Sequence, residues 1–285
     1  MLQDTYRAPC GILYSYTCQD FRKLIEIIPT EGVLIANVDD PLVANEIKRA
    51  KCRVITYALS HNADWMAEGV SVHEDYTRLK ILRAIDKTSR AYAEYVTLQT
   101  TLYGRHNISN LLSAVIIADY LGISISDISE AIKSFKGIRR RQEVIGKKRG
   151  ILVIDDFAHH PTAVNETIHA VSAKYKKHRL IAVFEPRSNS SRRNVFQSRY
   201  AVSFDKADLI MIPEPQMMEK IPSKERFSSQ QLVRDLKSRG LNASYFQNTD
   251  QLLEALLAEA HNEDVILIMS NGAFDNLPKR LLEKL

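Results

Sequence analysis

Cysteine is scarce in this chain of 285 residues: Cys10, Cys18 and Cys52 are the only three, none in C-x-x-C spacing and none beside a histidine cluster. That argues against a disulfide framework or a structural zinc site, and it fits a reducing cytoplasm. Long hydrophobic runs are lacking as well. Segments 151–154 and 265–269 are strand-length, far short of the roughly 20 apolar residues that span a bilayer. The first 20 residues hold Asp4 and Arg7 but no apolar stretch of the signal-peptide kind. Basic and aromatic residues are not interleaved, so no nucleic-acid partner is indicated. A phosphate loop is missing too. The only Gly-Lys pair is Gly146-Lys147; Lys148 follows it, and Arg141 stands where the first glycine of such a loop belongs.

What remains is an ordinary globular composition, 45% hydrophobic and 26% charged. The net charge of +5 suits anionic ligands such as nucleotides, and equally a solvated basic surface. The length exceeds one average core, so two domains are expected, 1–138 and 139–285. The boundary falls at the basic turn 137–141.

In the first region, strands are read at 32–37 and 53–58, with helices at 20–28 and 41–50 and polar strands across 70–103. A helix over 107–121 has Ile108, Leu111, Leu112, Val115 and Ala118 on one face; another runs over 127–135 behind Ser126 as cap. The second region alternates strands (151–155, 180–184, 208–212, 243–246, 264–269) with helices (161–176, 191–203, 229–239, 250–260). Such alternation means an α/β fold, a mostly parallel sheet with helices on both faces. Ligands of such sheets bind at the carboxyl ends of the strands.

Five segments stand out. Gly104-Arg105-His106-Asn107-x-x-Asn110 opens a helix; Asn107 and Asn110 share a face, and their amides suit an adenine edge. The plain alternative is a capping Asn107 and a packed His106. Arg139-Arg140-Arg141 puts three guanidiniums in one turn, a phosphate site or a solvated linker. Asp155-Asp156-Phe157-Ala158-His159-His160-Pro161-Thr162 ends a hydrophobic strand in two carboxylates and two imidazoles, suited to ribose, phosphate or a magnesium-bound water, or else to helix capping. Arg187, Ser188 and Asn189 follow the next strand, able to clamp a carboxylate and bond amides, or simply forming a turn around Pro186. Asn271 and Gly272 follow the last strand, where Gly272 permits a positive φ and exposed N–H groups.

Taken in this order, these segments resemble the Mur ligase family. The segment 104–110 is similar to that family's G-x-H-N-x-x-N, and 155–162 to the D-D-[YF]-x-H-H-P-T form of the branch acting on UDP-N-acetylmuramate. Segments 184–189 (FEPRSN) and 269–274 (MSNGAF) resemble members that add a recycled peptide rather than a single alanine. The resemblance covers nearly the whole chain from about residue 21. It implies part of a central ATP-binding domain followed by a Rossmann-like, doubly wound C-terminal domain. The implied activity is ATP-dependent, magnesium-requiring joining of L-Ala-γ-D-Glu-meso-diaminopimelate to UDP-N-acetylmuramate through an acyl phosphate, in cell-wall recycling. By resemblance, His106, Asn107, Asn110, Arg141, Asp156, His159 and His160 would hold ATP, and Arg187, Ser188, Asn189 and Asn271 the substrate. No residue stands out as the catalytic base.

The sequence departs from the family where the UDP-sugar domain, the phosphate loop and the acidic magnesium ligands belong. A catalytically incomplete portion is therefore expected, with the N-terminal portion as a possible partner. Two readings compete: a non-catalytic peptide- or nucleotide-binding module, and a metal-dependent hydrolase using Asp155, Asp156, His159 and His160.

Overall fold

The computed structural model describes residues 11–86 and 91–285, with side chains from residue 19 onward. Cys10 and the side chain of Cys18 lie outside the described residues; Cys52 is a buried free thiol. The chain divides into two compact units, Met1–Phe135 and Lys136–Leu285. The fold is mixed α/β with one mixed sheet in each unit.

The first unit runs α1 (Gly11–Glu26), β1 (Val33–Asn37), α2 (Pro41–Glu46), β2 (Arg53–Ala58), β3 (Trp65–Val72), β4 (Thr77–Asp86), β5 (Ala91–Thr100), α3 (Arg105–Tyr120) and α4 (Ile125–Ser134). Its strands lie in the order β1-β2-β3-β4-β5. β1 and β2 are parallel, Val33 opposite Arg53 and Asn37 opposite Tyr57. β3 joins β2 through two parallel pairs, then turns into an antiparallel meander with β4 and β5. In β4 the side chains alternate between the two faces, and Thr77, Leu79 and Ile81 point inward. Trp65, Leu79, Ile81 and Leu98 pack against Ile108, Leu111, Leu112, Val115 and Ile116 of α3. That is the apolar face read from the sequence, with Ile116 fully inside and Ala118 at its margin.

Helix bounds differ from the sequence reading in α1, which begins at Gly11 rather than at residue 20, and in α4 and α2. Ser124, not Ser126, caps α4: its Oγ accepts from the Asp127 amide at 3.2 Å, which begins the helix two residues earlier. α2 ends at Glu46 and relaxes into one 3₁₀ turn, Ile47–Arg49, so the helix is shorter than 41–50. Its start is built as Pro41 suggests. Asp40 Oδ1 accepts from Leu42 N at 2.8 Å with proline in the first turn.

The second unit runs β6 (Glu143–Lys148), β7 (Ile151–Asp156), α5 (Pro161–Lys174), β8 (Leu180–Phe184), α6 (Gln197–Tyr200), β9 (Leu209–Pro213), α7 (Ser229–Ser238), β10 (Ala243–Phe246), α8 (Thr249–Glu259), β11 (Val265–Met269) and α9 (Leu277–Lys284). The strand order is β10-β9-β8-β11-β7-β6, parallel except for β6. β8, β9 and β11 are buried along their whole length, as central strands covered on both faces must be. β11 returns between β7 and β8, so the strand order reverses there; the carboxyl ends of these three strands form the crevice where such sheets bind ligands.

β6 was not read from the sequence. Its charged, glycine-containing EVIGKK looks like linker, but Arg149 and Gly150 both adopt positive φ (52° and 78°). That is the backbone of a two-residue hairpin turn, and it folds β6 antiparallel onto β7 as an edge strand. The helix expected over 191–203 is reduced to a 3₁₀ turn, Asn194–Phe196, and the four-residue α6. At α7 Ser228 Oγ accepts from Gln231 N as the cap, and the Gln231 side chain bonds Asp235.

Candidate functional site

In the first unit the carboxyl ends of β1 and β2 meet the start of α3. Asp39, just past β1, accepts hydrogen bonds from Leu59 N at 2.7 Å and Ser60 N at 3.0 Å, and lies 2.9 Å from His61 Nδ1. Arg105, the first residue of α3, reaches the same carboxylate at 3.0 Å and Ser60 Oγ at 2.6 Å. Asn37 Nδ2 donates to Ser109 Oγ at 3.1 Å. These contacts fix the turn on which His106, Asn107 and Asn110 sit. Gly104 takes φ 93° immediately before it, a conformation a side chain would resist. Asn107 is half-buried and its Nδ2 donates to Tyr103 O at 2.9 Å; Asn110 is exposed. The sequence reading overlooked Asp39 and Arg105, because their pairing spans 66 residues.

In the second unit the crevice gathers most of the remaining named residues. Arg140 is the organiser that the sequence reading passed over in favour of Arg141. Its Nε lies 3.1 Å from Asp155 Oδ2, and its Nη2 donates to Ser270 O at 2.6 Å and Gly272 O at 2.7 Å. Three adjacent guanidiniums coexist because Arg140 is pinned in this way, while exposed Arg141 lies over the Phe157 ring, 5.2 Å from its centroid. Burial pushes the Asp155 carboxyl up, against the pull of Arg140.

Asp156 is 2% exposed. Its Oδ2 accepts from Gln142 N at 2.8 Å, and its Oδ1 from Ala158 N at 2.7 Å. Burial pushes its pKa up, opposed by those two amides. Both oxygens therefore hold backbone, fastening the chain before β6 to the turn after β7. His159 Nδ1 lies 2.9 Å from Phe157 O, an oxygen that only accepts, so the ring donates from Nδ1 and carries its other nitrogen away from that bond. His160 caps α5: its Nδ1 accepts from Thr162 N at 3.3 Å. Burial, then Arg199 and His159, lower its pKa.

Glu185, also 2% exposed, accepts from Ser270 Oγ at 2.5 Å and faces Arg187 Nη1 at 3.3 Å. Arg187 lies directly over Gly272, whose absent Cβ would come within 2.0 Å of Arg187 Cδ. Gly272 thus serves close approach; its φ is not positive, contrary to the sequence reading. The left-handed residues here are Phe274, Asp275 and Asn276 (φ 46°, 50° and 52°). Ser188 Oγ is committed inside its own turn, to Ser191 Oγ at 2.8 Å and Ser191 N at 3.0 Å. Asn271 Oδ1 is buried and has no hydrogen-bond partner among the described residues. These residues present no group of three or more His, Cys, Asp or Glu placed to share a metal ion. No helix among them is long and apolar enough to cross a membrane.

Residues 17–118 match the Mur ligase middle domain, and residues 140–272 match the Mur ligase glutamate ligase domain. A UDP-N-acetylmuramate–L-alanine ligase from Caldanaerobacter subterraneus subsp. tengcongensis is 29% identical over 93% of this chain and 56% of its own length. A UDP-N-acetylmuramate–L-alanyl-gamma-D-glutamyl-meso-2,6-diaminoheptandioate ligase from Haemophilus influenzae is 29% identical over 94% of this chain and 55% of its own. The crystal structure of a murein peptide ligase from Psychrobacter arcticus superposes with a TM-score of 0.67 at 27% identity, covering 94% of this chain and 54% of that one. The chain thus spans about half the length of the relatives it matches. Through its middle and C-terminal domains it belongs to the Mur ligase family.

Proposed function

We propose that this chain supplies the ATP-facing and amine-substrate portions of a ligase that joins L-Ala-γ-D-Glu-meso-diaminopimelate to UDP-N-acetylmuramate in the cytoplasm, for peptidoglycan recycling. Relatives named for L-alanine match it at 28–32% identity and one named for the tripeptide at 29%, so identity does not separate the two. The choice between them rests instead on segments 184–189 (FEPRSN) and 269–274 (MSNGAF), which resemble the peptide-adding members; the Arg187 guanidinium over Gly272 would serve a carboxylate of either substrate.

The observation that carries the reading is Asn271 Oδ1, a buried acceptor without a partner at the carboxyl end of β11. A buried polar atom left unsatisfied costs about 1–3 kcal/mol. A ligand N–H donor, such as the incoming peptide amine, would satisfy it. In this reading Arg187 and Asn189 orient the peptide, while Ser188 shapes their turn. His106, Asn107 and Asn110 take the adenine. Arg141, His159 and His160 serve phosphate and ribose, with Asp156 bracing the backbone beneath them. Bound magnesium would neutralise phosphate charge; no residue of this chain is assigned to it. Rate gain in such a reaction comes from aligning amine and acyl carbon and from positive charge over the phosphates.

Because the sequence contains no phosphate loop, the chain alone is expected to bind the tripeptide without turning over ATP. Calorimetry with the tripeptide and with ATP, beside an ATP-hydrolysis assay, tests this. Absence of tripeptide binding would remove the substrate assignment. ATP turnover by the purified chain would remove the claim of incompleteness. Tripeptide binding that persists, unchanged in strength, after Asn271→Leu would favour a simple binding module that does not engage the amine.

A further inference from the structure

Arg192 lies in the loop between β8 and α6 and is only 7% exposed. A guanidinium so far from water needs a counter-charge or a full set of acceptors. It has neither. Nη1 donates to two backbone carbonyls at long range, Gln216 O at 3.3 Å and Met217 O at 3.2 Å, and Nη2 donates to Asn189 Oδ1 at 3.1 Å. Nε is buried and has no partner among the described residues. Neighbouring arginines are treated differently: Arg187 faces Glu185 and Arg193 pairs with Glu225. No carboxylate among the described residues pairs with Arg192.

The two carbonyls come from the loop after β9, and that loop is held at a cost. Met217 adopts a left-handed conformation (φ 57°, ψ 36°) while its side chain is 38% exposed. A non-glycine residue there is strained, and nothing buried rewards it. Two adjacent neutral oxygens thus stand before a buried cation, at the carboxyl ends of two parallel strands where this kind of sheet binds ligands. A carboxylate has the same pair of oxygens, carries the missing charge, and matches a guanidinium in plane and spacing.

We propose that Arg192 recognises a carboxylate on the amino acid or short peptide bound by this unit, and that this carboxylate displaces the Gln216 and Met217 carbonyls. The proposal deepens the amine-substrate reading above and gives it a second cationic post besides Arg187. A single unpaired guanidinium suits one singly charged group better than a phosphate. Asn189 Oδ1 is held by Arg192, which leaves the Asn189 amide nitrogen as the donor it presents.

The test uses the whole chain labelled with nitrogen-15, following the Arg192 Nε–Hε resonance. It is titrated with acetate, with the tripeptide, and with the tripeptide whose diaminopimelate carboxylates are amidated. The resonance should move with acetate and with the acid tripeptide, and the amidated form should bind about tenfold or more weakly, as expected for loss of a charge-assisted pair. Arg192→Lys keeps the charge and loses the fork, so it should abolish most of that discrimination while the chain stays folded. Met217→Gly relaxes the closed loop and should weaken acid binding by about twofold to fivefold. Movement with acetate but no tripeptide binding would uphold Arg192 as a carboxylate site and overturn the tripeptide reading. Tripeptide binding with a stationary Arg192 resonance, and unchanged discrimination in Arg192→Lys, would overturn the proposal and leave the reading standing. Unchanged affinity in Met217→Gly would overturn the displacement of the carbonyls.

Discussion

Arg105 Nη2 lies 3.0 Å from Asp39 Oδ2, joining the first residue of α3 to the loop after β1. The carboxylate sits at the hub of four contacts, two of them from backbone amides of the loop after β2. Burial works against its ionisation, yet the Leu59 amide, His61, the Ser60 amide and Arg105 together hold its pKa below the usual carboxylate value. Asp39→Ala should therefore cost about 1 kcal/mol of stability, chiefly because the part-buried Leu59 amide loses its acceptor while the exposed donors turn to water. Because the folded value lies below the unfolded one, this contribution is present at neutral pH and lost as pH falls through the folded value. Urea unfolding of the wild type and the variant at neutral and acid pH checks both statements; a variant as stable as wild type at neutral pH would contradict them.

His160 supplies a pH effect of opposite origin. Its Nδ1 must be unprotonated to accept from Thr162 N, and burial, Arg199 and His159 lower its pKa from 6.5. The unfolded chain therefore binds more protons than the folded one between the folded value and 6.5. Stability should fall as pH drops through that window. Asn also caps helices well, so His160→Asn should keep α5 and flatten this dependence. Thermal melting from about pH 5 to about pH 8 reads the difference. An equally steep profile in the variant would show that another group carries the effect.

Gly272→Ala isolates the Arg187 position. The new methyl group would meet Arg187 Cδ at 2.0 Å, and the backbone φ is not one that requires glycine. The flexible side chain should yield, so stability should change by less than about 1 kcal/mol. Affinity for the tripeptide should fall about tenfold, as for loss of a charge-assisted contact. Calorimetry of Gly272→Ala beside Arg187→Ala measures this, and matching losses would locate the effect in Arg187.

The first unit should be the first to be digested. β1 is an edge strand whose Val33, Leu34 and Ile35 are only half-buried, and Phe21, Leu24 and Ile27 of the α1 region are 59%, 54% and 73% exposed. Open edges and exposed apolar surface accompany low local stability. In the second unit β8, β9 and β11 are buried throughout. Limited trypsin treatment followed by mass spectrometry should give a lasting fragment that begins near Lys136 and runs to Leu285. A lasting fragment confined to residues before Phe135 would refute this ordering.

Much of this was readable before any coordinates. Helical spacing identified the buried face of α3, and apolar runs bounded by turn residues located β7, β8 and β11. Side chains repeat along a helix or strand with a period set by local backbone geometry, so they announce themselves locally. The strand-end rule then pointed to 155–160, 185–189, 213–215 and 270–274, the segments at the carboxyl ends of β7, β8, β9 and β11, which the parallel pairing of these strands brings together. By contrast, β6 depended on a two-residue turn with both φ positive, and its charged sequence carried no strand signal.

Partnership is what only the tertiary structure decided. That Arg140 rather than Arg141 braces the crevice, that both Asp156 oxygens are spent on backbone amides, that Gly272 exists for Arg187, and that Arg192 is buried without a counter-charge all depend on groups distant in the chain. Residue type and spacing determine which side chains are available and which face they occupy. Which of them are left with unmet charge or hydrogen-bonding capacity is set by desolvation and by long-range contacts, and these exist only once the chain has folded.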